Sequence, residues 1–145
     1  MATSKAYGNL PKAAFNKELD WDSDDIRVML VSSAYTPNQD THDYLDDVSA
    51  FEVNGTGYTA GGSALTSKTS TYDPATNTIV LDAADVTWAN STITARYAVI
   101  YNNTGANAAS KPLVAYVDLV SDQASNAGNF VIEWDAAGIL RLTVA

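Results

Sequence analysis

The stretch TITARYAVIYN, Thr92 to Asn102, places Tyr97, Val99 and Tyr101 on one side of an extended chain and Ala98 and Ile100 on the other. Successive side chains of a strand point to opposite faces, so this period of two predicts a β-strand. A second segment, IRVMLVSS (Ile26 to Ser33), is β-branched and almost continuously apolar. Such a run fits a strand buried on both faces. Similar short segments recur along the chain. TIVLD follows the DPATN turn at Asp73 to Asn77, DVTWA puts Val86 and Trp88 on one face, and PLVAYVDLV follows the loop NTGANAASK. NFVIEWD and GILRLTVA alternate on either side of DAAG, which predicts a hairpin between them.

Seven to nine short strands with turn signals every eight to twelve residues predict an all-β domain. The expected architecture is an antiparallel β-sandwich or jelly-roll-like single domain with one or two short helices. Helical crossovers of the kind parallel strands need are missing from the pattern. The domain is expected over residues 21–145, with residues 1–20 as an N-terminal arm or short docking helix. In that segment Asn9 would cap a helix with Leu10, Ala14 and Phe15 on one face, and Pro11 would sit in its first turn. A second helical turn is expected at THDYLDDV, capped by Thr41, with Tyr44, Leu45 and Val48 inward.

A chain of 145 residues with 46% hydrophobic content can bury its own core. It has no cysteine, so disulfides and thiolate chemistry are excluded. No apolar run is long enough for a membrane helix, and the start lacks a signal-peptide block. Folding in a cytoplasm, with no membrane partner, is therefore expected. The net charge of −9 comes from 17 acids against 8 bases, which disfavours contact with phosphate backbones and hence with nucleic acid. Nine of those acids fall between Glu18 and Asp47, a pattern that a solvated acidic face explains.

FEVNGTGYTAGGSALTSKTSTYD, Phe51 to Asp73, holds Gly55, Gly57, Gly61 and Gly62 around Tyr58. A phosphate loop needs a following helix and, in the P-loop, a Lys before Ser or Thr. This stretch has neither pattern, so the glycines are read as positive-φ turn positions with Tyr58 packed between turns. Asp20, Asp22 and Asp24 alternate like the start of a calcium loop. Asp25 and Val31 stand where that loop wants Gly and Glu, so the EF-hand match fails; an acidic turn or a looser calcium site is left, and no metal site is assigned. His42, the one histidine, lies in an ordinary turn without a GxSxG partner. The carboxylate pairs Asp46/Asp47 and Glu133/Asp135 have no cleft signature. Trp21, Trp88 and Trp134 with the eight tyrosines suggest a glycan-stacking platform, and the alternative is that Trp88 and Trp134 are core. No catalytic residue and no cofactor is assigned.

The ordered segments AYTPNQDTHDYLDDV, FEVNGTGYTAGGSALTSKT, TYDPATNTIVLDAADVTW, ARYAVIYNNTG, PLVAYVDL and GILRLTVA resemble a family of small virion proteins of tailed bacteriophages. The resemblance spans about Ile26 to Ala145. It implies a non-enzymatic structural protein of the particle. Within that family setting, a small acidic all-β domain without fibre repeats suits a head decoration, or cement, protein on the capsid surface, made in the host cytoplasm. The expected partners are the major capsid protein and further copies of the chain, as a homotrimer. Expected contact residues are Tyr7, Leu10, Phe15, Asp22, Asp24, Gly57 and Tyr58. Tyr7 to Phe15 would be an exposed arm whose removal leaves the domain folded. The alternative is a tail-associated or glycan-binding receptor protein.

Overall fold

The computed structural model describes residues 3–144. Ten strands lie among them, all paired antiparallel: β1 (Ser4–Ala6), β2 (Ile26–Val31), β3 (Ser63–Ala64), β4 (Thr69–Asp73), β5 (Thr78–Asp82), β6 (Val86–Ser91), β7 (Thr94–Asn102), β8 (Leu113–Ala124), β9 (Gly128–Ile132) and β10 (Leu140–Thr143). One α-helix, α1, covers Leu10–Phe15, and three 3-10 turns cover Leu45–Asp47, Ser49–Phe51 and Ala108–Ser110. The all-β expectation therefore holds.

A five-stranded sheet runs in the order β1-β8-β7-β2-β3. A three-stranded sheet, β10-β5-β4, and a two-stranded one, β6-β9, supply the second layer. The alternation read in β7 is the key to the packing. Ala98 and Ile100 join Val28, Leu30, Trp88, Phe130, Ile132 and Leu140 in the main core, between the five-stranded sheet and the other two. Val99 and Tyr101 point the other way, with Met29 and Val31, into a second core closed by Tyr7, Tyr35, Leu45 and Val48. The sheet is thus buried on both faces, which explains why IRVMLV is unbroken by polar residues except Arg27.

Two irregularities adjust β8 to this demand. Between Ile100 and Tyr101 its register slips by one residue, so Val114 and Ala115 both enter the main core. A larger slip follows, because Ala95 pairs with Gln123 while Tyr97 pairs with Asp118. Four residues, Leu119 to Asp122, stand opposite Arg96 alone.

Several local expectations are corrected. NFVIEWD and GILRLTVA do not form a hairpin with each other: β9 pairs with β6 and β10 pairs with β5. The DAAG turn is real, with Gly138 N–H donating to the Asp135 carbonyl at 2.9 Å, but it carries the chain from one sheet to another. Trp134 fixes that crossing, its backbone N–H on Asp85 Oδ1 at 2.9 Å and its indole N–H on the Ala84 carbonyl at 3.0 Å. In α1 the inward face is Leu10 and Ala13, while Ala14 and Phe15 are exposed. Neither Asn9 nor Thr41 caps a helix through its side chain. Asn9 already has helical φ and ψ, and the second turn starts at Leu45. Leu45 and Val48 do point inward.

The N-terminal segment is not an exposed arm. Ser4 to Ala6 pair with Val117 to Ala115 at the sheet edge, and Tyr7 and Leu10 are buried. Tyr7 fills the second core because its ring lies 5.2 Å from that of Tyr116 and its hydroxyl meets Tyr35 Oη at 2.8 Å.

Candidate functional site

The glycine-rich segment folds over the edge of the five-stranded sheet. Gly55, Gly57, Gly61 and Gly62 all have φ between +79° and +152°. That region favours glycine. Their lack of a Cβ also lets the backbone approach strands of both layers: a Cβ on Gly57 would lie 2.9 Å from Ser91 Cα in β6, and one on Gly62 1.9 Å from the Val28 carbonyl oxygen in β2. The four positive-φ turns bring Tyr58 inward, its ring centroid 5.9 Å from that of Trp88.

The Tyr58 hydroxyl takes over where β3 stops. β3 pairs with β2 only at Arg27 and Val28. The next outward-facing amide, Leu30 N–H, donates to Tyr58 Oη at 3.1 Å, and the hydroxyl donates to Glu52 Oε1 at 2.8 Å. The same carboxylate oxygen accepts Gly61 N–H at 2.6 Å, and Tyr101 Oη donates to the Gly61 carbonyl at 2.6 Å. The amides a phosphate would need are therefore engaged internally. Gly62 N–H donates to Thr59 O at 3.0 Å and Tyr58 N–H to Gly55 O at 3.2 Å. The segment is a shaped connector.

Replacing Tyr58 by Phe keeps the ring and removes the hydroxyl. It leaves Leu30 N–H and one Glu52 hydrogen bond unmatched, so the expected cost is about 1–3 kcal/mol, read as a lower urea midpoint at unchanged slope.

The other polar groups singled out in the sequence are also committed to structure. Asp20 Oδ1 accepts the amides of Asp22 and Ser23, at 3.1 and 3.2 Å. Hydrogen bonding from Ser23 holds its carboxyl below the usual range. Asp24 Oδ2 accepts Asp20 N–H at 2.8 Å and Asn102 Nδ2 at 2.7 Å, while Asp22 accepts the Ser70 hydroxyl at 2.9 Å. The three carboxylates do not converge. Among the described residues no three His, Cys, Asp or Glu side chains gather at metal-binding spacing. His42 Nδ1 lies 2.9 Å from Tyr35 Oη and 3.2 Å from Asn38 N, and Tyr35 Oη lies 2.8 Å from Tyr7 Oη, so the three side chains form one hydrogen-bonded chain. Asp47 accepts Asp43 N–H at 2.9 Å, and Asp135 accepts Ala137 N–H at 2.8 Å. Trp21, Trp88 and Trp134 are buried, so these three rings belong to the core and are not offered to a ligand at the surface.

Of the seven expected contact residues, Phe15 is 89% exposed, Asp22 and Gly57 are exposed, and Asp24 and Tyr58 are half-buried. Tyr7 and Leu10 lie inside, so exposed contact by them is ruled out in this fold. Sequence reasoning missed the Tyr7–Tyr35–His42 chain and the Glu52–Tyr58–Tyr101 set. Spacings from six residues, Glu52 to Tyr58, up to forty, Gly61 to Tyr101, are joined only by folding and left no local signal.

Burial raises the phenol pKa of four tyrosines. Tyr35 and Tyr101 are each pushed up to about 12, and Tyr7 and Tyr58 further still. A folded-state pKa above the unfolded value of about 10 leaves stability intact below pH 10 and erodes it as pH rises beyond that. An ultraviolet titration should show these four of the eight tyrosines ionising only together with loss of structure. Smooth ionisation of all eight in a folded protein would contradict their burial.

Comparison with protein-family models, curated proteins and solved structures returns no match.

Proposed function

We propose that the protein is a non-enzymatic structural component of a tailed-bacteriophage particle, a capsid decoration or cement protein that seats on the outer shell at capsomer junctions. One observation carries the non-catalytic part of this reading. The groups with chemical potential, Asp20, Asp24, His42, Glu52, Tyr58 and Tyr101, are spent on internal hydrogen bonds. Large apolar side chains stand outside instead: Phe15 is 89% and Val120 82% exposed. Exposed apolar side chains on a domain with buried polar networks suit a surface that meets other proteins. The particle setting rests on the ordered segments from AYTPNQDTHDYLDDV to GILRLTVA.

In this reading Phe15, Asp22 and the Gly57 turn face the major capsid protein, and a homotrimer multiplies weak contacts by avidity. The net charge of −9 steers the protein toward basic shell surfaces more than it adds affinity. The test is addition of labelled protein to purified shells that lack it, followed by cryo-EM. Density at three-fold or quasi-three-fold positions is expected, and Phe15→Ser should weaken occupancy without unfolding the protein. Labelled protein on the tail alone would replace the cement reading with a tail-associated one.

A further inference from the structure

The larger slip in β8 displays a strained, apolar residue at the surface. Val120 has φ +72°, in the left-handed region, and is 82% exposed. A β-branched residue there is an outlier, and such strain persists where surrounding contacts impose it. Here the imposing group is Asp118. Its Oδ1 accepts Val120 N–H at 2.7 Å and pairs with the Arg96 guanidinium, whose carbon lies 4.6 Å from the Tyr97 ring centre.

Val120 borders a groove of about 440 Å³ lined by Thr3, Val117 to Val120 and Val131 to Glu133. The β8 wall is irregular, since residues 119–122 form the slip and Val120 N–H is already held by Asp118. The β9 wall is a strand edge: among the described residues β9 pairs with β6 on one side and with no strand on the other. Val131, 50% exposed, stands on the β9 wall next to Glu133. Unpaired strand edges present rows of N–H and C=O groups that another extended chain can satisfy. The groove's charged lining residues are Asp118 and Glu133, both acids, and among the described residues Glu133 has no ion-pair partner.

We propose that this groove captures an extended segment of a partner protein in which apolar residues alternate with Lys or Arg. The segment adds as a strand along the free edge of β9, across the groove from the Val120 turn. Its apolar side chains cover Val120 and Val131, and its basic ones meet Glu133. A second copy of this chain is a poorer occupant, because it would bring the same acidic edge against Asp118 and Glu133 in a molecule of net charge −9. The proposal stands apart from the shell-binding reading: peptide capture tests the groove, and shell decoration tests the assembly.

The probe is a capped synthetic octapeptide alternating Lys and Val, titrated into isotope-labelled full-length protein and followed by amide chemical shifts and hydrogen exchange. Saturable shifts at 117–122 and 131–133, with new amide protection along the β9 edge, are expected. The counterpart with Glu for Lys should leave these signals unchanged. Val120→Gly relieves the strained φ and removes the apolar contact, so it should raise the melting temperature while weakening the Lys/Val peptide by about tenfold. Glu133→Lys should weaken the Lys/Val peptide and admit the Glu one. The proposal is overturned by an absence of saturation at millimolar peptide, or by binding that salt abolishes without edge protection. It is also overturned if the β9 edge is already protected in the peptide-free monomer, or if the same shifts arise from concentration-dependent dimerisation.

Discussion

Deletion through Phe15 is expected to abolish cooperative folding. The segment looks dispensable in the sequence, being short and sparsely apolar, yet three separate losses follow its removal. The β8 edge from Ala115 to Val117 loses its strand partner, along with the bond from Tyr7 N–H to Val114 O at 3.1 Å. The second core loses Tyr7, and Tyr35 Oη loses the hydroxyl 2.8 Å away. The main core loses Leu10. Full burial of a large apolar side chain contributes about 1.5–3 kcal/mol, so Tyr7 and Leu10 together account for about 3–6 kcal/mol before the strand is counted. That is comparable to the whole stability of many domains, about 5–15 kcal/mol. Circular dichroism of the truncated chain should show a shallow, non-cooperative melt. A sharp transition near that of the intact protein would mean that the segment is an appendage after all.

The second large effect is expected at Gly62. Its φ is +79°, and a Cβ there would lie 1.9 Å from the Val28 carbonyl oxygen and 2.9 Å from Met29 Cα. Both obstacles are backbone atoms of the central strand β2, which cannot move without disturbing two cores. Gly62→Ala should therefore cost more than about 3 kcal/mol, in the class reserved for strain and overpacking. Gly128→Ala is the matched control. Its nearest neighbour would be Asn126 O at 3.8 Å, and its φ lies outside the left-handed region, so a change within about 0.5 kcal/mol is expected there. Urea denaturation of the two variants side by side separates the site-specific clash from a general effect of removing glycine. Equal midpoints for both would show that the loop can lift off β2 without loss.

The legible parts of the fold were those in which side-chain periodicity and burial coincide. In β7 the alternation assigned Tyr97, Val99 and Tyr101 to one face, and the second core indeed holds them on that side. The unbroken IRVMLV run identified the strand covered twice. Pairing was less legible, because period two states which face a residue takes and not which strand lies beside it. β9 and β10 alternate well and flank a sound turn, yet each finds a partner elsewhere. Phe15 misled for a different reason. A six-residue helix has little periodicity to read, and Leu10 with Ala13 satisfies the core equally well. The groove beside Val120 had no signature in the sequence, since DLVSD contains no glycine to announce a left-handed turn. For the candidate site, the turn-forming role of the four glycines was readable, whereas the task of the Tyr58 hydroxyl depends on where β3 ends.

The sheet shared by two cores also sets the order in which the molecule opens. On its outer side lies a cover built from the segment between Tyr35 and Phe51, held by 3-10 turns and a few loop hydrogen bonds. Such a cover can detach in a local fluctuation while the opposite core stays closed. The amides of β2 and β7 that bond across to each other, from Met29 opposite Val99 to Val31 opposite Tyr97, remain shielded by the main core in that partly open form. Their deuterium uptake must then wait for global unfolding, so its rate reports the full unfolding free energy. Residues of the Tyr35–Phe51 cover would instead report a smaller, separate opening energy. Two clocks in one small domain would let a bound partner be located by which of them it slows.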